Sequence, residues 1–402
     1  HNPYFYQNDS TLNPHLLVEI KIFFDSINEQ DYSSIVDNNA LFHNIEYFGE
    51  KLPNWRTADI ALIGILENRG SLLNTSADKA ADMIRHQLYR LKKGVKSYKI
   101  VDLGNLRCGD SAEATQLRLK EVCQALMEHH VLPIIFGGTH DVDYGQYMAY
   151  EHSDKLISVL NVDAFLDMET EMNMGLSRHH SLQIMMHEPN FLFNYTNLAY
   201  QSYLADQQML DTLEKLSFEN YRLGEVQEKI EEMEPVVRDA DMLSFDISAI
   251  KMQDAPGNGQ SQPFGLTGQE ACQLAWYAGQ SQKLTSAGFY EYNPHDDFRT
   301  QTAQTVATMI WYLIEGFYNR KLELAFNTDN YYRYLVSLPD EQQELIFYKS
   351  KQTEKWWMEV PFPISKSKYT RSSIVPCSYS DYLTAGQGEI PDRWLHVHTK
   401  LI

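Results

Sequence analysis

Six short apolar segments, separated by stretches of helical period, constrain this chain more than any other feature. They are ADIALIGILE at 58–67, SYKIVDLGN at 97–105, VLPIIFGG at 131–138, LISVLNVD at 156–163, ADMLSFDIS at 240–248 and SAGFYEYN at 286–293. Most are apolar throughout rather than alternating, as strands covered on both faces must be. Between them, Leu117, Leu119, Val122, Cys123 and Leu126 mark one helix face, and Ile230, Met233, Val236 and Val237 mark another. Further helices are expected over 268–284, after a Gly/Gln/Pro-rich loop at 255–267, and around 302–318. This alternation predicts an α/β fold, a three-layer αβα sandwich with a mainly parallel sheet, over residues 55–320.

Both ends differ from that middle. Residues 1–54 read as an N-terminal extension packed on the sheet domain, with a helix-like stretch from Leu16 to Phe24. Residues 321–402 read as an aromatic-rich C-terminal extension packed on the domain: a hairpin or small added sheet, then an irregular closing stretch, SYSDYLTAGQGEIPDRWLHVH. With 54 acidic against 34 basic side chains, the net charge of −20 repels phosphate backbones and anionic lipid. Nucleic acid is therefore not an expected partner. Membrane insertion is not expected either, because no apolar run approaches the roughly 18 residues a spanning helix needs. The first fifteen residues lack the order of a secretory signal. Cys108, Cys123, Cys272 and Cys377 are far apart and too few to staple the chain, which fits a reducing, cytoplasmic setting.

In open α/β sheets, sites form at the carboxyl ends of strands. Four of the segments end in polar residues there: IIFGGTHD presents His140 and Asp141, VLNVDAFLD presents Asp163 and Asp167, LSFDIS presents Asp246 and Ser248, and FYEYNP presents Glu291. An Asp at a strand end is usually a cap or turn residue. One histidine and several carboxylates meeting at one sheet edge would instead suit a hard divalent ion such as Mn²⁺.

Taken in order, these segments resemble the arginase, agmatinase and formiminoglutamase family of manganese ureohydrolases, whose patterns are GGxH, DAHxD, SxDxDxxDP and ExNP. Here they stand as Gly137-Gly138-Thr139-His140, Asp163-Ala164-Phe165-Leu166-Asp167, Ser244-Phe245-Asp246-Ile247-Ser248 and Glu291-Tyr292-Asn293-Pro294. The resemblance covers about residues 55–320 and implies an arginase-like fold. In such enzymes two Mn²⁺ ions share a bridging hydroxide that attacks an amidine or guanidine carbon. Carried over position by position, His140, Asp163, Asp167 and Asp246 match the protein ligands of the first metal site. The second site is expected to use the His of DAHxD and the second Asp of SxDxD, where this chain has Phe165 and Ser248. Phenylalanine cannot ligate a metal, and a neutral hydroxyl is a poor exchange for a carboxylate.

Thr139 replaces the Asp usual in GGDH, and Lys251 stands where the Asp of the DP pair is expected. Lys251 could supply part of the missing positive charge, or be an ordinary solvated loop lysine. The resemblance also places His180 at the proton-shuttling loop histidine and Glu291 at the acid that holds the substrate's cationic amidine. Arg178 and His179 could meet the carboxylates of a formiminoglutamate-like substrate, or be solvated loop charges. The expectation is a formiminoglutamase-like protein with one of two Mn²⁺ sites lost, weak or inactive as a catalyst and acting as a binding or scaffold protein. The alternative is an active metal-dependent C–N hydrolase of an amidine or guanidine such as formiminoglutamate. That alternative would run on one metal or on a further ligand outside the motifs; the expectation for the chain is one Mn²⁺ at most, or none, a small amidine or guanidine ligand or a protein partner, and a homo-oligomer by family resemblance.

Overall fold

The computed structural model describes residues 20–171, 175–323, 326–338, 344–361 and 374–401. The expected N-terminal helix falls mostly outside them; its last part, Ile20–Phe23, is a single 3-10 turn. The main sheet has ten strands: β1 (Phe24–Asp25), β2 (Glu46–Tyr47), β3 (Ile60–Ile65), β4 (Ile100–Leu106), β5 (Leu132–Phe136), β6 (Ile157–Val162), β7 (Leu192–Tyr200), β8 (Glu219–Arg222), β9 (Met242–Asp246) and β10 (Ser286–Tyr290). Their spatial order is β1-β4-β3-β5-β10-β9-β6-β7-β8, with β2 also paired to β4. All pairings are parallel except that of β1 with β4.

Alternation along each strand divides the core into two layers. Ile60 and Leu62 of β3 and Leu132, Ile134 and Phe136 of β5 face one way, into a core with Ile84, Leu274, Ile310 and Leu313. Ala61, Ile63 and Ile65 of β3 and Ile135 of β5 face the other way, against Leu119, Val122, Cys123 and Leu126. The first core belongs chiefly to the helices Ala80–Leu88, Gly268–Gln280 and Gln301–Tyr318, the second to Ala112–Glu128. Both faces of the sheet are thus covered, as the unbroken apolar strands require.

The structure departs from the sequence expectation in several places. Leu117 is 53% exposed and lies off the buried face of its helix, because residue 119 and its partners at 122, 123 and 126 already fill that stripe. Strands β7 and β8 were not expected: NYTN interrupts the first with buried polar residues, and ENYR at the sheet edge has no apolar run. Asn194 and Thr196 both reach Glu219 across the β7–β8 pair, which satisfies these polar groups and lets them sit in a strand. The added C-terminal sheet is antiparallel, β11 (Tyr331–Ser337), β12 (Glu344–Ser350), β13 (Trp356–Glu359) and β14 (Ile374–Cys377). The closing stretch is helical, Tyr379–Gly386 and Asp392–Leu401, where an irregular segment was expected. Its first helix starts at a capping box between Ser378 and Asp381, which offsets the Gly and Pro content that follows. Among the described residues, no helix is long and apolar enough to cross a membrane.

Candidate metal centre

Four neighbouring strands, β5, β10, β9 and β6, end at the same edge of the sheet, and each delivers one of the motifs. After β5, Gly137 (φ +87°) and Gly138 (φ +76°) take left-handed conformations, and a Cβ on Gly138 would lie 2.5 Å from Ile65 Cγ2. Only glycine turns the chain so tightly there, and the turn carries His140 over the strand ends. Two non-glycine residues of the site are also left-handed, Asp167 (φ 49°) and Glu291 (φ 68°). Such backbone strain is held in place only when the surroundings fix it.

His140 Nδ1 lies 3.1 Å from Asp246 Oδ2, 3.4 Å from Asp163 Oδ2 and 4.0 Å from Asp167 Oδ2. All four side chains are buried. Each carboxylate uses its other oxygen to brace itself. Asp246 Oδ1 accepts from the Ser248 backbone N–H at 2.6 Å, and Asp163 Oδ1 accepts from the Phe165 N–H at 2.9 Å and the Ser248 hydroxyl at 3.0 Å. Asp167 Oδ1 is ion-paired to Arg178 at 2.7 Å. Asp163 Oδ2, fully enclosed, makes no hydrogen bond. An imidazole nitrogen with carboxylate oxygens gathered around it, 3.1–4.0 Å away, is a donor set for a hard divalent cation. His180 adjoins it, its Nε2 3.5 Å from Asp167 Oδ2 and its ring centroid 3.8 Å from that of His140. Ligand atoms of His140, Asp163, Asp167 and His180 all lie within 4.8 Å of one another.

A hydrogen-bonded relay orients the imidazole from behind. His140 Nε2 and Ser244 Oγ are 2.8 Å apart, and the Ser244 hydroxyl donates to Asp143 Oδ2 at 2.8 Å. The same Asp143 oxygen meets His180 Nδ1 at 2.9 Å. With Asp143 as acceptor, Nε2 of His140 carries the proton and Nδ1 keeps the lone pair a metal needs. Burial opposes charge on His140, but the carboxylates facing it, Asp163 and Asp246 foremost, outweigh that and raise its pKa well above the ordinary value. His180 is likewise pushed up to about 9 against the effect of burial, chiefly by the charge of Asp143. Burial raises Asp167, and the neighbouring charge of Asp163 adds to it. These are the shifts of a strongly electronegative, enclosed pocket.

The other residues singled out in the sequence fall in different places. Phe165 is buried beside the carboxylates with the Arg178 guanidinium over its ring, 4.2 Å from the centroid. Arg178 is turned inward, its side chain only 13% exposed, and also pairs with Glu169 at 2.5 Å. His179 is tied by Nδ1 to the Glu169 carbonyl at 2.6 Å. Lys251 does not supply the charge beside these carboxylates: its ammonium pairs with Asp254 at 3.6 Å in a partly exposed loop, and the cation at the site is Arg178. Thr139 is buried next to His140. Glu291 is buried with both oxygens engaged, one by the His140 N–H at 2.7 Å and the Ser177 hydroxyl at 2.5 Å, the other by the Asn74 amide. Burial, followed by the charge of Asp246, raises its pKa to about 7.

Asp143, Asn74 and Ser177 were not identified from the sequence. Asp143 had a signal, since it follows His140 by three residues in THDVD. Asn74 had none, because it reaches Glu291 across 217 positions of chain.

Comparison with known proteins agrees with this architecture. A family model described as "Arginase family" matches residues 58–315. A formimidoylglutamase from Streptococcus gordonii is 25% identical over 294 residues, covering 67% of this chain and 89% of that protein. One from Chromobacterium violaceum is 26% identical over 281 residues, covering 66% of this chain and 90% of that protein. Among solved structures, Trypanosoma cruzi formiminoglutamase with Mn²⁺ superposes with a TM-score of 0.64 at 20% identity, covering 71% of this chain and 100% of that one. Formimidoylglutamase from Bacillus subtilis gives 0.63 at 20% identity, covering 74% and 95%.

Proposed function

Because the chain belongs to the arginase family, we propose that it is a formiminoglutamase-like protein that retains one divalent-metal position, suited to Mn²⁺, and serves in binding rather than in efficient amidine hydrolysis. The observation that carries this reading is the contrast between the two halves of the centre. Asp163, Asp167 and Asp246 each bring a carboxylate oxygen within 4.0 Å of His140 Nδ1, while the remaining two family ligand positions hold Phe165 and Ser248. A bound ion would supply positive charge to polarise a ligand held against it. The chain's own part is to fix the donors: Ser244 and Asp143 hold the His140 ring, and the backbone amides of residues 165 and 248 hold two of the carboxylates.

Two further features support a binding role. Glu291, expected to grip a substrate amidine, already accepts hydrogen bonds on both oxygens from within the protein. His180, expected to move protons at the site mouth, is fully buried between Asp143 and Asp167. The test is Mn²⁺ stoichiometry on metal-stripped protein, followed by assay against formiminoglutamate, agmatine, arginine and guanidinobutyrate. One ion with no appreciable turnover is expected. Two ions, or turnover at ordinary enzymatic rates of about 1 to 1000 per second, would overturn the proposal.

A further inference from the structure

Arg178 makes sense of Phe165 and Ser248 together. Ser248 takes one carboxylate oxygen that does not face His140, and Phe165 carries the guanidinium that takes another. On Asp163 that oxygen is Oδ1, occupied by the Ser248 hydroxyl at 3.0 Å. On Asp167 it is Oδ1, occupied by the Arg178 guanidinium at 2.7 Å. The same guanidinium reaches Glu169 at 2.5 Å and lies over the Phe165 ring. A flat aromatic face is what a stacked guanidinium needs beneath it, and an arginine cannot lose its proton under such conditions. Asp163, Asp167, Asp246 and Glu169 bring four negative charges into an enclosed space; one divalent ion and one guanidinium together supply three positive ones.

Resting on the reading of a single retained metal position, we propose that Arg178 is a built-in organic cation standing in for a second metal ion. Seated on Phe165 and paired to Asp167 and Glu169, it balances the carboxylates and keeps the second half of the centre closed to metal. Restoring the two family ligands is then not enough to restore a second ion, because the guanidinium still fills the place.

The experiment compares Mn²⁺ binding by titration calorimetry and electron paramagnetic resonance in three proteins: the parent, Phe165→His/Ser248→Asp, and the same pair with Arg178→Ala. The parent and the double variant should each take one ion and give the spectrum of an isolated Mn²⁺. The triple variant should take two and give an exchange-coupled spectrum. Two ions in the double variant would overturn the role of Arg178 while leaving the single-metal reading of the parent intact, and one ion in the triple variant would overturn it as well. No ion in any of them would remove the metal reading itself, and this proposal with it.

A second measurement avoids the triple variant, whose folding is more at risk. In Arg178→Gln alone, losing a neighbouring positive charge should tighten Mn²⁺ at the first position by about tenfold or more. A merely structural arginine would leave that affinity unchanged or weaken it through disorder of Asp167, and either result would count against the proposal.

Discussion

Ser244→Ala isolates the link between the hydrogen-bonded relay and the metal position. The hydroxyl is fully buried, receives the His140 Nε2–H at 2.8 Å and donates to Asp143 Oδ2 at 2.8 Å. Its removal leaves His140 Nε2–H facing Asp143 Oδ2 at 3.7 Å, beyond hydrogen-bond reach. An unsatisfied buried donor costs about 1–3 kcal/mol, and that is the expected loss of stability in the metal-free protein. Loss of the group that orients a ligating histidine typically weakens a metal by about 10–100-fold, or about 1.4–2.7 kcal/mol. Since a ligand that binds only the folded state adds its binding free energy to stability, the variant should lose that additional amount when Mn²⁺ is present in excess. Urea unfolding of parent and variant, each with and without Mn²⁺, measures both terms. A destabilisation of the same size in both conditions would refute the reasoning, because it would mean the relay supports the fold without orienting a metal ligand.

Two other perturbations follow from the same geometry. In the metal-free protein Glu291 holds its proton up to about pH 7 against an ordinary 4.5. A raised acid favours the folded state below 4.5 and loses that advantage as pH rises through 7, so melting temperatures should fall across this window and Glu291→Gln should reduce the fall; equal slopes in both proteins would contradict it. Leu119 is fully buried and Leu117 is 53% exposed on the same helix, so Leu119→Ala should cost about 2–4 kcal/mol and Leu117→Ala under about 0.5 in chemical denaturation.

What the sequence disclosed was set by how local its causes were. The ends of β5, β6, β9 and β10 were legible because a doubly covered strand is apolar to its last residue and the polar residues that follow must then lie at the sheet edge. Lys251 illustrates the limit. Its position in the motif left open a cation near the carboxylates or a solvated loop lysine, and the structure places its ammonium 3.6 Å from Asp254 in its own partly exposed loop. Arg178 had appeared as either a contact for an outside carboxylate or a solvated loop charge, and is instead turned onto Asp167 and Glu169. Which way a loop side chain points depends on the surface it lands against, here the face of Phe165, and nothing in a run such as SRHHS specifies that surface. Strand β7 was missed for a related reason: NYTN carries no apolar period, and its fitness for a strand depends on Glu219 from a distant segment.

Arg238 connects the C-terminal sheet to the part of the chain that leads into the metal centre. It sits eight residues before Asp246, at the end of the helix Glu234–Arg238 that precedes β9. Its Nη2 donates to the carbonyls of Trp356 at 3.0 Å and Cys377 at 3.4 Å, and the guanidinium lies 4.3 Å from the centroid of Trp357. Glu234 holds it from behind at 3.0 Å and also meets Lys355 at 3.1 Å. One side chain thus bonds β13, β14 and their aromatic face at once. The sheet has its own core, with Leu345, Phe347, Met358, Val375 and Trp394 packed together, so losing this tie should loosen its attachment before its packing. Arg238→Ala strips two carbonyls of a donor and leaves Glu234 with Lys355 alone, a cost of about 2–4 kcal/mol. In hydrogen exchange the loss of protection should concentrate in β13 and β14, with β5 and β10 at the centre of the main sheet unchanged. Protection lost equally in all four strands would show that Arg238 supports the fold as a whole, and the attachment of the C-terminal sheet would then have to reside in its broader apolar contacts.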